Sequence, residues 1–218
     1  MPIARLGSGG MAEVFLAVAR GPVGFNKLAV VKRLRNSDDA AQVAMFLDEA
    51  RLAARLNNAN IVHTYEVGEA GGKYFIAMEY LEGQSLHALI ARQKVHGSGA
   101  SDAVAAYIAA QALKGLHFAH QLRDFDGTPL GVVHRDVSPH NLYLTYEGEV
   151  KVLDFGVAKT RMNAGNTETG MVKGKIRYMA PEQLSDGAVD ARADVFALGV
   201  VLWELLARRP LFQGDAPS

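Results

Sequence analysis

The period of the hydrophobic pattern changes once along this 218-residue chain, near EYLEGQS at 79–85. Upstream, apolar residues come in short runs bounded by turn residues. EVFLAVA (13–19), KLAVVKRL (27–34), IVHTYEVGE (61–69) and KYFIAMEYL (73–81) read as strands, with GPVGFN and AGG as turns. One stretch interrupts them: residues 38–57, DDAAQVAMFLDEARLAARLN, read as a helix opened by acidic residues at the positive end of its dipole. Downstream, SLHALIARQ (85–93) and SDAVAAYIAAQALKGLHFAH (101–120) carry helical periodicity, the second with Ser101 as its cap. The expected class is α+β. A small antiparallel β lobe with one helix reaches about Glu82 (1–82), and a mainly helical lobe follows (83–218).

Within the second lobe, VVHRDV, NLYLTY and EVKVLDFG read as short strands and loops, with YEGE as a hairpin turn. A polar loop is expected from Lys159 to Lys175, and the run Ala193–Leu206, apolar on every face, as a helix buried in a core. Lys+Arg and Asp+Glu are both 23, so no bulk attraction to nucleic acid or membranes is indicated. The absence of cysteine rules out disulfides and thiolate metal sites and is compatible with a cytoplasmic location. VFALGVVLWELLA (195–207) is too short to span a bilayer and contains Glu204, so no membrane segment is expected in this chain.

Three clusters carry candidate chemistry. LGSGGMAEV (6–14) is a glycine-rich turn between apparent strands, either a tight hairpin or a loop whose N–H groups approach a phosphate. Lys32 sits in the apolar strand AVVK, where it could snorkel to water. Glu49, however, shares a helical face with Met45, Leu52 and Leu56, and a carboxylate on an apolar stripe wants a cation; Lys32 is the nearest candidate. Asp136 and Asn141 in HRDVSPHN (134–141), with Asp154 in DFG (154–156), could hold Mg²⁺ through oxygens and leave one carboxylate as a base. Taken singly, each also fits turn or cap chemistry.

In this order the motifs resemble the protein kinase family, in particular the bacterial eukaryotic-like (Hanks-type) Ser/Thr kinases. The match continues through APE (180–182) and DVFALGVVLWELL (194–206) to LFQG. The resemblance implies a two-lobed kinase fold and phosphoryl transfer from ATP to Ser/Thr hydroxyls of protein substrates. Gly7, Gly9 and Gly10, beside Leu6, would cover the phosphates, and Lys32, held by Glu49, would bind the α- and β-phosphates. Asn141 and Asp154 would hold Mg²⁺, and Asp136 would take the hydroxyl proton. Met78 falls at the gatekeeper position; the Glu79 and Leu81 backbone would bind adenine, with Val14, Val30 and Tyr143 around the ring. Asp194 would brace the catalytic loop. Arg135 would pair with a phosphate on Thr167 or Thr169, and dimerisation is one route to that autophosphorylation.

Two departures are reciprocal. Where Ser/Thr members carry HRDxKxxN this chain has Ser138, and where they carry GTxxYxAPE it has Lys175. The expectation is that Lys175 supplies the missing ammonium to the γ-phosphate and that Ser138 makes room. His140 and Ser85 stand where basophilic members carry acids, so no strong demand for arginine upstream of the acceptor is expected. The chain stops soon after the central helix, without the arginine that usually pairs with the Glu182 position, so a truncated catalytic domain is expected. The competing readings are a nucleotide-binding pseudokinase or scaffold and a small-molecule phosphotransferase.

Overall fold

The computed structural model describes residues 1–9, 11–97, 99–155, 175–185 and 187–212. Gly10, Gly156, Thr167, Thr169 and the expected loop from Lys159 through residue 174 lie outside the described residues. The chain divides into two compact units: Met1–Asn58 with Val62–Glu82, and Ala59–Ile61 with Gly83–Ser218.

Among the described residues, the first unit is a five-stranded antiparallel sheet with one helix. Its strands are β1 (Pro2–Ser8), β2 (Ala12–Arg20), β3 (Asn26–Leu34), β4 (Thr64–Ala70) and β5 (Lys73–Glu79), in the order β1-β2-β3-β5-β4. Val14 pairs with Lys32, Val30 with Met78 and Lys32 with Ile76, so these residues share one face of the sheet. Helix α1 (Ala40–Ala53) packs Phe46 and Ala50 on Ala12, Leu34 and Ile76. Burying a side chain such as Phe46 or Leu34 contributes roughly 1.5–3 kcal/mol. The helix is shorter than the 38–57 read from the sequence, because the Asp39 carboxylate caps it by accepting from the Ala41 and Gln42 N–H groups (3.0 and 3.1 Å).

The second unit is mainly helical. Strand β6 (Gly83–Ser85) runs into helix α2 (Leu86–His96), whose cap is Ser85. Helix α3 (Asp102–His120) follows, capped by Ser101 (Oγ to Val104 N, 3.3 Å), and buries the stripe Ala105, Ile108, Ala112, Leu116 and Ala119. Two glycines allow close approach here. A Cβ on Gly83 would stand 2.2 Å from the Leu144 carbonyl oxygen, and one on Gly115 would stand 2.8 Å from that of Asn60. Strands β7 (Leu142–Thr145) and β8 (Val150–Val152) extend the β6 sheet.

VVHRDV is not a strand. Residues 132–137 run as irregular backbone, held by side chains rather than by a ladder. Helix α4 (Ala191–Ala207) covers the expected run and buries Ala193, Ala197, Leu198, Val201 and Leu205. It is not buried all round: Val195, Trp203 and Leu206 are exposed.

Candidate active site

The first unit places a cation against a helical carboxylate. Lys32 on β3 reaches Glu49 on α1, with Nζ 2.5 Å from Oε1, and the two side chains are only 13% and 10% exposed. Enclosure makes the contact more than a surface ion pair, since removing one member would leave the other charge poorly solvated. The sequence signal, a carboxylate on an apolar helical stripe, located this pair correctly. Asp48 next to it is taken up by Arg51 at 2.9 Å. The β1–β2 hairpin turns through Gly9, whose N–H donates to the Ala12 carbonyl (2.8 Å). A Cβ added at Gly7 would meet nothing within 4 Å, so the space beside the backbone is open there. Leu6 is exposed; Val14, Val30, Met78 and Leu81 are half-buried. The Glu79 N–H donates to the His63 carbonyl (2.9 Å), while the Glu79 carboxylate accepts from the His63 N–H (2.8 Å).

The second unit builds its constellation around Asp194, which is 1% exposed on the first turn of α4. One carboxylate accepts three donors: the His134 N–H (2.8 Å), the Arg135 N–H (2.8 Å) and His120 Nε2 (2.7 Å). Arg135 has φ +63°, a conformation that L-residues adopt at a cost of about 1–2 kcal/mol. Asp194 and Gln183, whose Nε2 donates to the Arg135 carbonyl (3.0 Å), hold it there. The sequence reading anticipated Asp194 but missed His120 and Gln183, which lie in helical and turn contexts that carry no motif signal by themselves.

His134 is wholly buried, and its ring lies 4.6 Å from that of Phe155. Nε2 donates to the Leu153 carbonyl (2.8 Å) and Nδ1 accepts from the Asp136 N–H (3.2 Å), which requires the neutral imidazole. Burial holds its pKa below the usual histidine value, against the opposing pull of Asp194 and the Leu153 carbonyl.

Asp136 is the meeting point of the loop. Asn141 Nδ2 donates to the Asp136 carbonyl (2.8 Å) and to its carboxylate Oδ2 (2.9 Å), and Lys175 Nζ donates to the same Oδ2 (2.7 Å). The Lys175 and Asp136 side chains are 29% and 10% exposed. Ser138, two residues on, is 1% exposed, and its Oγ has no hydrogen-bond partner among the described residues. Because its amide nitrogen is committed to Asp136, Asn141 can offer a cation only oxygen, the donor a hard divalent ion prefers. The Leu153 N–H donates to the Asn141 backbone carbonyl (2.8 Å), which ties the loop to the turn carrying Asp154, itself at φ +44°. The donor set therefore fits Mg²⁺. Tyr143 donates its hydroxyl to the Gly83 carbonyl (2.9 Å). The Arg135 side chain has no ion-pair partner among the described residues, and the threonines expected to supply one lie outside them.

The family model described as protein kinase domain matches residues 2–218. The chain belongs to the protein kinase family. It is 51% identical over 210 residues to tyrosine-protein kinase MasK of Myxococcus xanthus, covering 94% of this chain and 32% of that protein. Serine/threonine-protein kinase PknB of Mycobacterium tuberculosis is 39% identical over 221 residues, covering 97% of this chain and 33% of that protein. The chain thus spans about a third of the length of the curated relatives it matches. The crystal structure of the Mycobacterium tuberculosis PknI kinase domain matches with a TM-score of 0.71 at 28% identity, covering 100% of this chain and 77% of that one. No helix among the described residues is long and apolar enough to cross a membrane.

Proposed function

We propose that residues 1–218 act as a protein kinase catalytic domain that transfers the γ-phosphoryl group of ATP to serine and threonine hydroxyls, including those of its own activation segment. The observation that carries this reading is the convergence of Lys175 Nζ and Asn141 Nδ2 on one oxygen of Asp136 (2.7 and 2.9 Å). A carboxylate oriented by two donors suits a general base that must meet one hydroxyl in one direction. Asp136 takes the proton as the acceptor oxygen bonds to phosphorus and the bond to the ADP oxygen breaks. Lys32, fixed by Glu49, is assigned to the α- and β-phosphates, and the Gly7–Gly9 hairpin to covering them. Asn141 and Asp154 would hold Mg²⁺, which neutralises phosphate charge when bound. For adenine, the Glu79 carbonyl and Leu81 N–H are the assigned groups, because the Glu79 N–H is already spent on His63.

Lys175 is assigned the role that a lysine two residues after the catalytic aspartate has elsewhere in the family. It approaches Asp136 from the segment before APE, and Ser138 is small enough not to compete for the space. Within this reading, a phosphate on Thr167 or Thr169 would pair with Arg135, the location is cytoplasmic, and dimerisation brings one chain's segment to another's site.

Ser/Thr rather than tyrosine acceptors are favoured by YMAPEQ at 178–183 and by the lack of an AAR or RAA sequence in the catalytic loop. The similarity to a protein named tyrosine-protein kinase favours the second reading. Incubation with Mg·ATP, intact-mass measurement and phosphoamino-acid analysis test both. Mass steps of one phosphate, absent from Asp136→Asn and carried on serine or threonine, are expected. Phosphotyrosine alone would replace the acceptor class, and no transfer to itself or to any protein would leave a nucleotide-binding pseudokinase.

A further inference from the structure

The glycine-rich hairpin has one firm arm and one loose arm. On the firm side, β2 starts at Ala12, which is 4% exposed and pairs with Leu34, wholly buried at the end of β3. On the other side, the register of β1 on β2 slips between Arg5 and Gly7, and Leu6 within the slip is exposed. An irregularity of this kind interrupts the ladder locally. The glycines at 7 and 9 add conformational freedom that must be given up when the backbone closes on a ligand.

Side chains tie the loose arm down at two points. Before the slip, Arg5 meets Glu13 on β2 (3.6 Å), and Arg33 on β3 meets the same carboxylate (3.2 Å), so Glu13 straps three strands together. Beyond the slip the tie is Arg35, the first residue after β3. Its N–H donates to the Met11 carbonyl (2.9 Å), and its Nη2 donates to the Ser8 hydroxyl oxygen. Arg35 therefore grips both sides of the turn: Met11, which leads into the firm arm, through its backbone, and Ser8, on the loose arm, through its side chain. Ser8 lies between Gly7 and Gly9, the residues assigned to covering the phosphates, so holding its side chain holds the peptide groups on either side. Arg35 is exposed, and an exposed contact contributes little to global stability. Its effect is local, on the shape of the turn.

We propose that Arg35 is a positioning residue for nucleotide binding: acting through Ser8, it holds the Gly7–Gly9 backbone in the conformation that receives the ATP phosphates. The inference rests on the protein kinase reading of the hairpin, and it adds to that site a residue 27 positions away from Ser8 in the chain. Arg35 takes no part in the transfer itself.

The test uses the full chain and four variants: Arg35→Ala, Ser8→Ala, the two together, and Arg35→Lys. Calorimetry measures binding of ATP and of adenosine, and steady-state phosphorylation of one protein substrate gives KM for ATP and kcat. Arg35→Ala and Ser8→Ala should each raise Kd and KM for ATP about fivefold, the effect of losing one hydrogen bond to a charged group near the surface. Uniform loss of binding leaves kcat within about twofold. Adenosine, which has no phosphates, should bind all variants within about twofold of the unmodified chain. Because one residue acts through the other, the double variant should be no weaker than either single one. Arg35→Lys keeps a donor for Ser8 and should recover most of the loss, and urea midpoints should not move. Three results overturn the inference and leave the kinase reading standing. ATP affinity may be unchanged throughout; it may fall in Arg35→Ala but not in Ser8→Ala, or fall multiplicatively in the double variant, which assigns Arg35 a direct charge effect; or adenosine may weaken as much as ATP, which assigns a general structural loss. If the unmodified chain binds ATP no more tightly than adenosine, the phosphate reading of the hairpin itself fails and takes the inference with it.

Discussion

Replacing Lys175 by threonine, alone and together with Ser138→Lys, separates a relocated catalytic ammonium from a loop lysine that merely lies near Asp136. The 2.7 Å contact to Asp136 places the Lys175 charge where phosphoryl charge develops if Asp136 is the base. Losing one preorganised donor at such a point typically lowers the rate by about 10²–10³, or about 2.7–4 kcal/mol of transition-state stabilisation. Lys175→Thr should therefore fall by that factor in kcat, with a small change in KM for ATP, because the proposed phosphate anchor, Lys32 paired with Glu49, is separate. Ser138→Lys alone should do harm of another kind. Ser138 is 1% exposed, so a lysine there overpacks the loop at a cost of roughly 1–3 kcal/mol in stability and sets a second ammonium beside Lys175. In the double variant the Lys175 ammonium is gone and the one at position 138 takes its place, so turnover should recover at least tenfold over Lys175→Thr. Single-turnover phosphorylation of a fixed protein substrate measures all four corners of the cycle, and urea melts of the same samples account for folding. Additive losses in kcat, with no recovery, would refute the exchange, as would a Lys175→Thr variant that turns over at the unmodified rate.

The other expectations concern the supports of the site. Asp194→Asn presents an amide N–H₂ to a cluster of three donors, so at least one is left unpaired; the cost is about 1–3 kcal/mol in urea denaturation together with a fall in kcat. Unchanged stability would mean that Asp194 does not hold the loop. Glu49→Ala removes the enclosed partner of Lys32, costs on the order of 3 kcal/mol and raises KM for ATP more than it lowers kcat; a KM within twofold of normal would count against the phosphate role of Lys32. His134 gives the pH dependence. Its folded pKa is below the ordinary value of about 6.5, so the unfolded chain binds the extra proton first. The stability contribution is full above about pH 6.5 and is lost as pH falls below it, with a slope of up to about 1.4 kcal/mol per pH unit. His134→Gln, which cannot titrate, should flatten that limb, and an identical limb in this variant would assign the loss to another group.

What was legible in the sequence, and what was not, follows from whether a residue's role is local. Val14, Val30, Lys32 and Met78 were brought together by the family resemblance, and the register of β2, β3 and β5 sets them on one face of the sheet. The partner of Lys32 was also legible, because a carboxylate at a core-facing helical position is costly unless a cation meets it. VVHRDV reads with its neighbours as short strands and loops, and its apolar residues are real core residues: Val132, Val133 and Val137 are all buried. What keeps it from pairing is Arg135, whose positive φ turns the chain, and that turn is held from 59 residues away by the Asp194 carboxylate. Local pattern cannot carry a constraint imposed at that distance. The same holds for α4, which is apolar enough to suggest burial all round yet leaves Val195, Trp203 and Leu206 exposed. Hydrophobicity reports what a helix could bury, and topology decides which faces find a neighbour. Asp194, on the first turn of that helix, shows where the two meet: a charged residue in an apolar run is legible as an anomaly, but its meaning lies in the three donors that the fold brings to it.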